Sequence, residues 1–260
     1  MTTPLPEPRR IQRYGWVPDL PDQRDHLFAA PPAVVRRLPP RADLRTGCPK
    51  EIYDQGRLGS CTANAIGAAF EYCRIKQDLF DFMPSRLFVY YNERVMEGTV
   101  DCDSGAMIRD GIKSVARQGV CPEVSWPYDI ARFAEQPPGS CYDEALRSRA
   151  VSYQRVTRSL TQLKGCLANG YPFVFGFQVY ESFEGDEVAS GGTAPMPGRE
   201  EQPIGGHAVL AVGYDDATGR FLVRNSWGAG WGDGGHFTLP YAYLTERSLS
   251  SDFWAILTVM

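Results

Sequence analysis

A chain of 260 residues, 43% hydrophobic and 22% charged, carries enough apolar area for one large domain or two packed lobes. A net charge of −4 offers no strongly basic face, so nucleic acid is not an expected partner. No segment reaches the roughly eighteen apolar residues of a membrane helix, and the N-terminal arginines have no apolar run behind them. That predicts no membrane partner, no secretory signal and a cytoplasmic location, although a non-classical export route leaves no such mark.

Residues 1 to about 40 are rich in proline and arginine. Pro4, Pro6, Pro8, Pro18, Pro21, Pro31, Pro32, Pro39 and Pro40 rule out a long helix or a central strand. Residues 1–37 therefore read as an extended arm, whose Gly15-Trp16-Val17-Pro18 and His26-Leu27-Phe28 clusters offer apolar side chains for docking. From 43 to about 121 the spacing is helical. Ser60 is a good N-cap, which puts Cys61 in the first turn of a helix with Ile66, Phe70 and Cys73 as its buried stripe. Pro84-Ser85 opens a second helix through Leu87, Tyr90, Tyr91 and Val95. Met107, Ile108, Ile112 and Val115 mark a third, ended by Gly119. Beyond the Pro137-Pro138-Gly139 loop the signals turn to strands, from about Val151.

In that half, 172–177 is a short apolar run and 184–201 a polar loop. Strands at 208–212 and 221–223 flank a hairpin turn at 215–219. Opposed residues of an antiparallel pair have position numbers with a constant sum. A turn centred at 216 puts His207 across from Asn225; a centre at 217 puts it across from Trp227. Opposed Cβ atoms lie about 4.5–5.5 Å apart, so the imidazole and the carboxamide are expected as neighbours.

Gln55, Cys61, His207 and Asn225 are the parts of a thiol acyl-transfer site. A thiol at a helix N-terminus beside an imidazole is driven toward the reactive thiolate. That position, and Gly59 just upstream, separate Cys61 from Cys73, Cys121 and Cys166, which read as small core residues. Gly205-Gly206 leave room for a substrate chain beside His207. The Asn225 carbonyl is expected to accept the Nδ1–H of His207, leaving Nε2 to face the thiol. The Gln55 side chain and the Cys61 N–H would act as oxyanion donors, each worth roughly 3–4 kcal/mol. Trp227 is either plain core or a shield for the His–Asn bond. His26 and His236 have no such surroundings and read as structural.

With Cys61 free, the even remainder of Cys48, Cys73, Cys102, Cys121, Cys141 and Cys166 permits disulfides. Without a secretory signal, buried thiols are the expected state. The chain has no Cys-x-x-Cys pair and few histidines, so no metal site is expected.

On these residues the sequence resembles the papain-like cysteine peptidases. The resemblance rests on the glutamine before the cysteine, the Gly206-His207-Ala208 strand and the Asn225-Ser226-Trp227-Gly228 and Gly230-Trp231-Gly232 block. It extends to Leu38-Pro39-Pro40-Arg41, Asp101-Cys102-Asp103-Ser104-Gly105 and Trp126-Pro127-Tyr128, and covers roughly residues 38–260. It implies an α+β two-lobed fold. A mainly helical lobe, 38–150, would carry the nucleophile, and a mainly β, barrel-like lobe, 151–260, would carry His207 and Asn225. It also implies hydrolysis of a peptide or protein substrate through a thioester, with no cofactor and no metal. By the same analogy Ser104 and Gly105 would hold the substrate backbone, Gly206 and Trp227 would border it, and Trp231 would line the leaving-group side.

The chain departs from the family at three places. Leu58 stands where a disulfide cysteine is usual, leaving Cys102 without its usual partner. Thr62 replaces an aromatic residue beside the thiol. In place of a long helical prodomain stands the arm, 1–37, which suits a bacterial-type minimal branch. The arm is expected either to lie along the cleft as a short propeptide or to pack on the back of the body. Two other readings keep the same residues. A catalytically idle binding scaffold sits poorly with a complete set of four; a transferase passing the acyl group to an amine shares the same thioester.

Overall fold

The longer helices fall early in the chain and the longer strands late, with short helices among the late strands and short strands among the early helices. The computed structural model describes residues 14–260, so the first part of the arm, with Pro4, Pro6 and Pro8, lies outside the described residues. In order the elements are β1 (Trp16–Val17), β2 (Leu27–Phe28), α1 (Pro32–Val35), β3 (Arg41–Asp43), α2 (Cys61–Lys76), α3 (Arg86–Glu97), β4 (Ala106–Met107), α4 (Ile108–Arg117) and α5 (Gly139–Ala145). Then come β5 (Ala150–Val156), α6 (Leu160–Ala168), β6 (Phe173–Tyr180), α7 (Asp186–Gly191), β7 (Pro203–Asp215), β8 (Arg220–Arg224), β9 (His236–Pro240), α8 (Tyr241–Thr245) and β10 (Ser250–Val259). Among the described residues no helix is long and apolar enough to cross a membrane.

The central helix is α2. Instead of one buried stripe it is buried on every side from Cys61 to Arg74, because α3 and α4 pack on one flank and β7 and β10 on the other. Ser85 caps α3 by accepting the Phe88 N–H at 3.2 Å, and Gly98 ends it in the left-handed conformation at φ 70°. The 184–201 stretch is not all loop: it holds the short helix α7, ended by Gly192 at φ 66°.

The large sheet runs β2-β5-β10-β6-β7-β8-β9, with β3 paired to the far half of β7. Alternation sorts its side chains into two cores. Val174, Ala208, Leu210, Val212, Trp254 and Ile256 face the helical side with Cys61. Phe173, Phe175, Phe177, Val209, Ala211, Phe253 and Ala255 build the opposite, aromatic core with Phe221 and Phe237. Phe175 is fully buried and stacks on Phe253 at 5.8 Å. Phe175→Ala is therefore expected to cost about 3–5 kcal/mol, seen as a lower urea midpoint at unchanged slope. A loss under about 1 kcal/mol would contradict this packing.

The hairpin register decides between the two sequence alternatives. Near the turn Asp215 pairs with Arg220, but past an irregularity at 212 the pairs are Ala211 with Val223 and Leu210 with Arg224. Continued toward the site, that register corresponds to a centre at 217. Trp227, not Asn225, then stands across from His207.

The described part of the arm follows the body. β1 pairs in parallel with β4, and β2 in parallel with β5 at the sheet edge. Trp16 and Phe28 are buried, whereas Val17 and Leu27 face solvent. Asp25 bridges Arg109 at 2.6 Å and Arg155 at 3.1 Å, and Asp19 accepts the Trp254 indole N–H at 2.8 Å.

Candidate active site

Cys61 opens α2 and is fully buried, and its sulfur accepts the Ala208 N–H of β7 at 3.4 Å. Ser60 does not act as the expected cap. Its backbone stands at φ −95°, ψ 25°, and its side chain makes no cap bond because its hydroxyl is bound to Tyr128 and to Asn64. The free end of α2, with its positive dipole end, thus points at the thiol without an intervening hydroxyl.

The imidazole is oriented opposite to the sequence expectation. Nε2 of His207, not Nδ1, lies 2.8 Å from Asn225 Oδ1. Nδ1 is buried without a hydrogen-bond partner among the described residues. The register explains this. Trp227 takes the facing position and stacks on the imidazole at 4.9 Å and 27°, so Asn225 meets the ring at its tip, where Nε2 lies. Asn225 Oδ1 also accepts the Ser226 N–H at 2.8 Å, which steadies the carboxamide.

Gln55 is fully buried. Its Oε1 accepts the Ser226 hydroxyl at 2.7 Å, and its Nε2 donates one hydrogen to the Leu58 carbonyl at 3.0 Å. Trp231 packs edge-on against Trp227 at 4.8 Å, and Phe183 against both. Gly105 sits at φ 72° with its N–H on the Tyr90 hydroxyl, and Ser104 Oγ donates to the Gly105 carbonyl. The four principal residues are thus brought together, as are Trp227 and Trp231. His26 lies exposed, and His236 sits apart with Nδ1 3.2 Å from the Gly234 carbonyl.

Residues 14–16 lie against these same groups. The Gly15 amide lies close enough to draw the Cys61 thiol toward its charged form, and the Gly15 carbonyl accepts the Ala106 N–H at 2.8 Å. The Trp16 indole covers Gly206 and Gly176, where any Cβ would collide with it, and its N–H reaches Asp252 at 3.2 Å. Tyr14 meets the His207 ring edge-on at 6.0 Å and donates its hydroxyl to Glu184. Under this cover, burial pushes the Cys61 thiol up to about 12, against the pull of the Ala208, Gly15 and Thr62 amides. Burial likewise pushes His207 down to about 4, partly offset by Asn225. Burial under the arm thus works against the charged form of each group.

One polar partner was missed. Thr62 Oγ1 donates to the fully buried Glu93 at 2.6 Å, and burial raises that carboxyl well above its usual range. A threonine in place of an aromatic residue was a sign of room for a polar neighbour, but nothing local pointed to α3. All seven cysteines are free thiols, Leu58 is buried and Cys102 exposed.

This architecture, with a helical layer and a curled sheet meeting at Cys61 and His207, defines a thiol hydrolase of the α+β two-lobed type. The family model described as papain family cysteine protease matches residues 38–250, and the chain belongs to the papain family of cysteine proteases. It is 45% identical to xylellain, a cysteine protease from Xylella fastidiosa, with a TM-score of 0.90 over 97% of this chain and 98% of that one. It is 41% identical, over 269 aligned positions including gaps, to an uncharacterized peptidase C1-like protein of Acanthamoeba polyphaga mimivirus, covering 94% of this chain and 86% of that protein. The fold is shared with proCathepsin B S9 from Trypanosoma congolense, at 17% identity and a TM-score of 0.76 over 95% of this chain and 86% of that one.

Proposed function

We propose that this protease cleaves peptide bonds with Cys61, His207, Asn225 and Gln55, and that residues 14–16 restrain it as part of a short propeptide. Nδ1 of His207 takes the thiol proton, and the Cys61 thiolate attacks the scissile carbonyl. The Nε2–H of the resulting imidazolium is held by Asn225, behind the Trp227 shield. The Cys61 N–H and the second amide hydrogen of Gln55 receive the oxyanion. Nδ1–H then protonates the leaving amine beside Trp231, leaving a thioester. Water gives its proton to Nδ1, attacks the thioester and frees the acid. Ser104, Gly105 and Gly206 border the substrate backbone, and the working division of the chain is arm 1–37, helical lobe 38–150 and β lobe 151–260.

The observation that carries this reading is the 2.8 Å Nε2–Asn225 contact, which leaves Nδ1 available while the next residue's N–H holds the sulfur. The test is hydrolysis of a fluorogenic peptide pool under reducing conditions, by the full chain and by a chain starting at Leu38, before and after iodoacetamide. One alkyl group on Cys61, located by peptide mass, is expected to end hydrolysis. Activity that survives complete Cys61 alkylation would overturn the assignment.

A further inference from the structure

We propose that Tyr128 is a positioning residue for the oxyanion pocket, its single hydroxyl tying together the two backbone segments that present the donors. The inference rests on the roles proposed above for Gln55 and the Cys61 N–H.

Residues 55–60 form no regular helix or strand: the Gln55 N–H is held by the Ser226 carbonyl at 2.9 Å and the Ser60 carbonyl accepts the Asn64 N–H at 3.0 Å, but no backbone bond joins these two ends to each other. The Tyr128 hydroxyl bridges them. It donates to the Gln55 carbonyl at 2.9 Å and is bonded to Ser60 Oγ, one residue before the nucleophile. A carbonyl only accepts, so Tyr128 spends its proton on Gln55 and the Ser60 hydroxyl must donate to Tyr128. Ser60 Oγ then accepts from Asn64 Nδ2 at 3.1 Å, whose other hydrogen goes to the Ser60 carbonyl at 2.9 Å. Asn64 Oδ1 accepts from Arg86 at 3.3 Å, and Arg86 pairs with Glu123.

With these directions all of the contacts are satisfied at once. The ring itself is held under the Arg86 guanidinium, 4.2 Å from its centroid. Burial pushes the hydroxyl up to about 12, so it keeps its proton across the working range. The oxyanion donors are the side chain of one clamped residue and the N–H following the other. Donors of this kind lose their worth when displaced by about an ångström.

Tyr128→Phe removes the hydroxyl and keeps the ring on Arg86. It is read in the full chain and in a Gly15→Val background that lifts the arm. The expected result is about a tenfold fall in kcat with KM within about twofold. A peptide aldehyde, whose hemithioacetal oxygen occupies the oxyanion position, is expected to bind about tenfold more weakly. Alkylation of Cys61 by iodoacetamide, which forms no oxyanion, is expected to keep its rate and pH profile. Ser60→Ala, which removes the other end of the clamp, is expected to shift kcat and aldehyde affinity in the same direction.

Unchanged kcat and aldehyde affinity in both variants, with an active wild type, would overturn this inference alone. So would an alkylation rate falling in step with kcat, which means a damaged thiol or fold. A wild type without hydrolysis even with the arm lifted would remove the proposed site and this inference together.

Discussion

Cys61→Ala is expected to lower kcat for peptide hydrolysis by about a million-fold, the scale on which nucleophile loss acts in enzymes of covalent acyl transfer. None of the other thiols substitutes for it. Cys48, Cys73, Cys121, Cys141 and Cys166 are buried elsewhere, and Cys102 lies at the surface. His207 does not compensate by activating water directly, because the oxyanion donors proposed here are arranged around an attack from the α2 N-terminus. The fold is expected to tolerate the change within about 1–2 kcal/mol, since an alanine fills most of the site and loses one bond to the Ala208 N–H. The measurement is kcat on a fluorogenic peptide beside the thermal midpoint of each protein. Comparable turnover in the folded variant would show that the thiol is not the nucleophile.

Displacing the arm is the second large effect. Under the restraint proposed above, with the Gly15 backbone beside the sulfur and Trp16 over Gly206, substrate would enter only when the arm lifts, and the apparent kcat/KM would scale with the fraction of molecules lifted. Undocking that costs about 3 kcal/mol leaves under 1% open, so a gain of about 100-fold is expected on release. Gly15→Val achieves this within the full chain, because a Cβ there would stand 1.7 Å from the Gly59 carbonyl oxygen. Cutting the chain before Leu38 should act likewise, although it also strips Phe28 from the sheet core.

The gain has a chemical part as well as a steric one. Solvent returning to the cleft relieves the burial that holds Cys61 near 12 and His207 near 4, so both shift toward the thiolate–imidazolium pair. That shift moves a proton from sulfur to nitrogen inside the site and binds none from solution. Docking is therefore nearly independent of pH only in the narrower window where the open and docked sites carry the same number of protons; below it the open site binds an extra proton and above it the open site has lost one, and both favour the lifted arm. Faster alkylation of Cys61 in Gly15→Val than in the full chain, across pH 6–8, is the check. Equal alkylation rates and equal kcat/KM in the two proteins would exclude restraint by the arm.

The sequence by itself determined the parts and their local settings. Cys61 at a helix start, the switch from helical to alternating periodicity and the placing of His207 on a strand near Asn225 all follow from spacings within a few residues, where backbone geometry alone dictates the neighbours. The polar 184–201 stretch concealed a short helix for the same reason: six residues of α7 are too few to carry a periodic signal.

What only the tertiary structure decided depends on residues far apart in the chain. The irregularity at 212 set the hairpin register, and with it Trp227 on the imidazole and Nε2 on Asn225. Packing of the Trp126–Tyr128 turn against the 55–60 segment diverted Ser60 from capping to Tyr128. The bond from Thr62 to Glu93 spans 31 positions and that from Tyr14 to Glu184 spans 170. No local spacing encodes such pairs. They form because burying two cores at once leaves each polar group a small choice of partners, and that choice is made by packing rather than by sequence proximity.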